Sequence, residues 1–115
     1  MFISGKIKLI VSDFETSLNF YSDILGFKIK ERIGRVHATL LGSGMTIELE
    51  PVSLEKERPQ QNFSLGIGIS NLDITVKKLR EKKIPFSGFK EDDRGGRIAH
   101  LEDPDGISLY LREVS

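Results

Sequence analysis

The sequence has no cysteine, no excess charge of either sign and no long apolar run. Its 115 residues hold 17 Lys+Arg against 17 Asp+Glu, with two His and no Cys. Without cysteine there are no disulfides, Cys-ligated zinc, iron–sulfur clusters or thiol nucleophiles. The balanced charge argues against a nucleic-acid partner, which generally demands a basic face. No stretch approaches the length of a membrane span, and the opening Met1-Phe-Ile-Ser-Gly lacks the features of a secretory leader, so the chain reads as cytoplasmic with no membrane partner. The chemistry-bearing motifs are equally sparse. There is no P-loop, no G-x-G-x-x-G, no G-x-S-x-G elbow, and neither His37 nor His100 belongs to a metal-binding spacing.

What the sequence does contain is an order of elements used twice. Period-two alternation predicts a strand over Lys6–Val11. Asp13 then caps a helix over Phe14–Leu25 with Phe14, Leu18, Tyr21 and Leu25 on one stripe, ended by Gly26. Strands follow at Phe27–Ile33, Val36–Leu41 and Met45–Glu50. After a polar stretch the order restarts, with a strand at Phe63–Ser70, an Asn71 cap, a helix over Leu72–Lys83, and strands at Phe86–Asp92, Arg97–Glu102 and Ile107–Val114. The turn between the last two is Asp103-Pro-Asp-Gly, where Gly106 is able to take a positive φ. At an offset of 58 residues Val11 meets Ile69, Asp13 meets Asn71, Leu18 meets Val76 and Tyr21 meets Leu79. The reading is therefore α+β, one domain of two βαβββ modules: residues 1–52 and 63–115, joined by a linker over 53–62.

Alternation also sorts the faces of each sheet. Ile7, Leu9, Val11, Ile47, Leu49, Leu65, Ile67, Ile69, Ile107, Leu109 and Leu111 belong beneath the helices. Lys6, Lys8, Ile10, Thr46, Glu48, Glu50, Ser64, Gly66, Gly68, Ser70, Ser108, Tyr110 and Arg112 belong on the opposite, open faces. Two readings of those faces stay open. They form a solvated surface with ion pairs such as Lys6–Glu48, worth ~0–1 kcal/mol each, or they line a cavity in which the glycines admit close approach. His37 and His100 read as ordinary hydrogen-bonded strand residues. Glu48 is the candidate general base, with a structural pair to Lys6 as the alternative. Arg94-Gly-Gly-Arg97 is either an anion clasp or an exposed hairpin turn. Lys77, Lys78, Arg80, Lys82 and Lys83 read as the solvated side of the second helix.

The segments VSDFETSLNFYSDILGFKI, MTIELE, GIGISNLDITVKKLREKKI and HLEDPDGISLYL resemble the glyoxalase/bleomycin-resistance/extradiol-dioxygenase (vicinal oxygen chelate) superfamily over nearly the whole chain. The strongest signals are V-x-D-x-x-x-S-x-x-F-Y-x-x-x-L-G-F and the late D-P-D-G. The resemblance implies paired βαβββ modules, often in homodimers, with curved mixed sheets around a small-molecule cavity. It places the ligands of metal-dependent members at Lys6, Glu48, Ser64 and Tyr110. Only Glu48 keeps a liganding carboxylate, which sets the chain beside metal-free, ligand-sequestering members.

The expectation that results is metal-independent binding of a small, partly aromatic molecule by a homodimer, with no cofactor. Ligand-binding candidates are Lys6, Lys8, Glu48, Glu50, Ser64, Arg97, Tyr110 and Arg112. Tyr110 stacks on the ligand, Glu48 and Lys6 form charged hydrogen bonds, and Arg97 or Arg112 holds an anionic group. Phe20 or Tyr21 join them if the first helix lies near the mouth. One alternative is a family lyase, isomerase or dioxygenase with an atypical divalent-metal site, or a metal-free enzyme using Glu48 as base. Another is a protein-interaction module without a ligand.

Overall fold

A computed structural model describes residues 1–54, 63–88, 90–91 and 96–114. The chain divides into two compact units, Met1–Gln60 and Gln61–Ser115. Most of the expected linker, residues 55–62, lies outside the described residues.

The first unit runs β1 (Ile7–Val11), α1 (Phe14–Asn19), a π-helical turn (Phe20–Ile24), β2 (Lys28–Ile33), β3 (His37–Leu41) and β4 (Thr46–Pro51). Its strands form a mixed sheet in the order β1-β4-β3-β2, with β1 parallel to β4 and the other pairs antiparallel. A bulge at Lys30 shifts the β2–β3 register, which moves Arg32 to the side of Ala38. There Arg32 pairs with Glu15 and lies over the Phe14 ring. Leu9, Val11, Ile47 and Leu49 are buried with Phe14, Leu18 and Tyr21, as the alternation predicts.

The second unit repeats this plan: β5 (Ser64–Ile69), α2 (Leu72–Glu81), β6 (Lys90–Glu91), β7 (Arg97–Glu102) and β8 (Ser108–Glu113), ordered β5-β8-β7-β6 with β5 parallel to β8. The fold is α+β, built of repeated βαβββ units with mixed sheets. Among the described residues, the strand expected over Phe86–Asp92 is represented by β6 and a bridge between Phe86 and Leu101. Ser87 interrupts it by bonding β7 twice: its N–H donates to the His100 carbonyl, and its hydroxyl accepts the His100 N–H, both at 2.8 Å. At the D-P-D-G turn, Asp103 Oδ1 accepts the N–H groups of Asp105 and Ile107, and Gly106 has φ +85°.

The helices start alike and end differently. Asp13 accepts the Thr16 N–H at 3.0 Å and Asn71 the Ile74 N–H at 3.2 Å, so both caps satisfy the third helical donor. Helix α2 ends in a Schellman motif: Ile84 N–H reaches the Leu79 carbonyl and Lys83 N–H that of Arg80, with Lys83 itself left-handed at φ +57°. The first helix, expected to be α-helical through Leu25, instead widens at Phe20. Leu25 N–H bonds the Phe20 carbonyl five residues back, and Phe27 N–H bonds the Tyr21 carbonyl six back, on either side of left-handed Gly26. The cap residues are 58 apart, whereas the left-handed exits, Gly26 and Lys83, are 57 apart. The first module thus carries one extra residue, and the π turn absorbs it.

Candidate functional site

The register of each sheet fixes which open-face residues are neighbours. In the first unit Lys8 is level with Glu48, Thr39 also pairs with Glu48, and Ile10 is level with Glu50. Lys6 Nζ lies 3.5 Å from Glu48 Oε1 and Lys8 Nζ 3.4 Å from Glu50 Oε2. The lysines are about half exposed, whereas the two glutamate side chains keep only 12% and 11% of their accessible surface. His37 stands between those carboxylates: Nδ1 is 3.4 Å from Glu50 Oε2, and Nε2 is 3.6 Å from Glu48 Oε2 and 3.1 Å from the Thr39 hydroxyl. Lys6, Glu48, His37, Glu50 and Lys8 therefore form one continuous polar array.

His37 is the member that sequence reasoning missed. It opens β3 rather than sitting within a strand, and no spacing motif marks it. Its signal lies in the β3–β4 register: Ala38 is paired with Leu49, which sets His37 opposite Glu50.

In the second unit the open face carries Ser64, Gly66 and Gly68 on β5, Ser108, Tyr110 and Arg112 on β8, and His100 on β7. Ser64 is level with Ser108, Gly66 with Tyr110 and Gly68 with Arg112. Tyr110 leans over Gly66: a Cβ placed on that glycine would meet Cε2 of the ring at 2.7 Å and come closer still to Cζ and the hydroxyl oxygen. The close approach expected of a ligand at Gly66 is thus made by Tyr110. The Arg112 guanidinium lies across Gly96 in the same manner.

One expected site residue and one expected pair are placed elsewhere. Arg97 shares the parity of Ala99 and Leu101, which are buried, so it lies on the helix-covered side of its sheet. It bonds Glu113 at 2.9 and 2.7 Å and Asp73 at 3.2 Å twice, at the start of α2. The hydrogen bonds to Glu113 and then Asp73 raise the Arg97 pKa further above its ordinary value, and Arg97, then the Leu72 N–H, hold Glu113 below its own. Its geometry is that of a structural clamp, not of an anion clasp on the open face. Arg94 lies outside the described residues. Phe20 and Tyr21, expected at a mouth, are 3% and 0% exposed. They form an aromatic cluster with Phe27, edge to face at 5.2 and 6.0 Å, because both pack into the first unit's core.

The family-type metal positions do not present a metal donor set. Lys6 contributes an ammonium beside the one carboxylate, Ser64 and Tyr110 contribute hydroxyls, and the Tyr110 ring is turned onto Gly66. The His37 nitrogens face different carboxylates, so one ion cannot take both. Among the described residues no group of three or more His, Cys, Asp or Glu is placed to hold a metal.

The model of the glyoxalase/bleomycin resistance protein/dioxygenase superfamily matches residues 4–111. The chain belongs to that superfamily. Within it, YraH of Bacillus subtilis is 33% identical, with 91% of this chain and 94% of that protein covered. A probable lactoylglutathione lyase of Synechocystis is 27% identical over 91% and 90%. Among solved structures, TnmS3, an antibiotic-binding protein from a Streptomyces species, superposes with a TM-score of 0.75 at 24% identity, over 100% of this chain and 99% of that one, a likeness of fold. No helix among the described residues is long and apolar enough to cross a membrane.

Proposed function

We propose that this superfamily member binds a small, partly aromatic molecule without a metal, in the manner of a sequestration or resistance protein. The observation that carries the reading is the Lys6–Glu48 pair: the one family-type carboxylate is already neutralised by an ammonium 3.5 Å away. On the open face of the first unit a ligand gains by hydrogen bonding to an array whose glutamates are largely withdrawn from water; on that of the second, Tyr110 offers a stacking surface. In the first unit Glu48, Glu50, Lys6 and Lys8 are the groups for polar contacts; in the second, Tyr110 and Ser64 are the groups for a ring system, with Arg112 bordering them. That the structural neighbour TnmS3 is an antibiotic-binding protein supports small-molecule binding. The reading includes a cytoplasmic homodimer, since sheet edges call for cover.

A thermal-shift screen of aromatic antibiotics, thiol conjugates and divalent metals tests it, since a native-state ligand raises the melting temperature. An aromatic compound that stabilises the protein equally with and without EDTA is the expected result. One tightly bound transition metal per chain after chelator-free purification, lost in Glu48→Ala, would overturn it. That outcome would favour the second reading, a glyoxalase-type lyase, to which the similarity with the Synechocystis protein points. Light scattering at micromolar concentration checks the dimer.

A further inference from the structure

Gly66, Tyr110 and His100 lie in one row across β5, β8 and β7. A tyrosine in the middle of an exposed sheet face ordinarily stands away from the pleat, because a Cβ on the neighbouring strand blocks it. Here the neighbour is glycine, and the ring occupies the space that a Cβ would fill. Tyr110 remains 39% exposed, and the exposed His100 ring sits 6.2 Å away, tilted by 43°. The corresponding pair in the first unit is Lys8 with Glu48, at the same register and with no ring at all.

We propose that these three residues form an aromatic shelf for a planar ring carrying an oxygen acceptor at its rim. Gly66 is its positioning residue. The ring of the ligand lies along Tyr110, and the His100 imidazole meets the oxygen from the side. The proposal rests on the ligand-binding reading above and names the surface of the second module that takes an aromatic ring. A glycine beneath an aromatic also steadies a sheet, so the test must read ligand binding as well as stability.

The probes are naphthoate, which is planar, and its fully saturated decalin analogue, which has the same charge without the flat face. Both are titrated into the labelled protein and followed by NMR. Naphthoate is expected to shift the resonances of Gly66, His100 and Tyr110, with the decalin acid binding about fivefold more weakly, the size of one stacking contact. Gly66→Ala is expected to lose about the same factor. His100→Leu, a change at an exposed position, provides a variant whose fold is not at stake, with a similar expected loss. The shelf is wrong if naphthoate leaves these three residues unmoved, or if both variants bind it like the native chain. An aromatic antibiotic that binds while shifting other residues removes the shelf and leaves the ligand-binding reading standing. Failure of every aromatic compound to bind removes both.

Discussion

Glu113, near the end of the chain, caps the helix that begins 41 residues earlier: its Oε2 accepts the Leu72 N–H at 3.0 Å. The same carboxylate takes two hydrogen bonds from Arg97, whose remaining donors hold Asp73 in the first turn of α2. A helix start is thereby tied to two strands by one guanidinium and two acids.

This clamp gives stability a pH dependence of known sign. Arg97 stays charged throughout, and Glu113 has a folded-state pKa below its ordinary value. The stabilisation is therefore fully present above the usual carboxylate range and is lost as pH falls through the depressed value. Glu113→Gln should lower the melting temperature at pH 7, and the gap to the native chain should close under strongly acidic conditions. A gap that widens with acid would contradict the assignment.

Lys83 occupies a backbone region that suits glycine, at the C′ position of a Schellman motif. A left-handed non-glycine residue costs roughly 1 kcal/mol. Lys83→Gly should stabilise the protein by about 0.5–1 kcal/mol in urea denaturation. Gly26→Ala, at the corresponding exit of the first module, should destabilise it by a similar amount.

The chain has two tyrosines, one fully buried and one on an open face. Tetranitromethane should modify one tyrosine per native chain, located at Tyr110 by mass spectrometry, and none in Tyr110→Phe. An aromatic ligand should slow the reaction. Modification at Tyr21 in the folded protein would contradict its burial.

Tyr21 holds Phe20 and Phe27 in edge-to-face contact. Truncation to alanine should cost about 3–5 kcal/mol, a large share of the 5–15 kcal/mol that typical domains possess. Chemical denaturation measures it, and a loss below about 1 kcal/mol would show that the cluster is not a packing centre.

Much of this architecture was legible in the residues. Alternation at period two identified the buried Leu9, Ile47, Leu65 and Leu109, and Asp13 and Asn71 announced the helix starts. The family motifs implied mixed sheets, which local patterns do not encode, while the strand order came only with the structure. Arg97 was misplaced because the R-G-G-R spacing outweighed a parity it shares with Ala99 and Leu101. His37 escaped because its partners lie in another strand, and only the β3–β4 register brings them together. The Tyr110–Gly66 packing was hidden for the same reason: a parallel register between strands more than forty residues apart is a tertiary fact. The π turn is a subtler case, since an extra residue leaves an apolar stripe readable while changing the hydrogen bonds beneath it.

That extra residue also works as a length marker. Any relative one residue shorter between the positions of Tyr21 and Gly26 must run an unbroken α-helix to its first glycine, with the shorter exit seen at Lys83. Aligning relatives at this point by residue count alone would therefore slip Leu25 and Phe27 out of register with their structural counterparts, and every downstream strand of the first module would inherit the error.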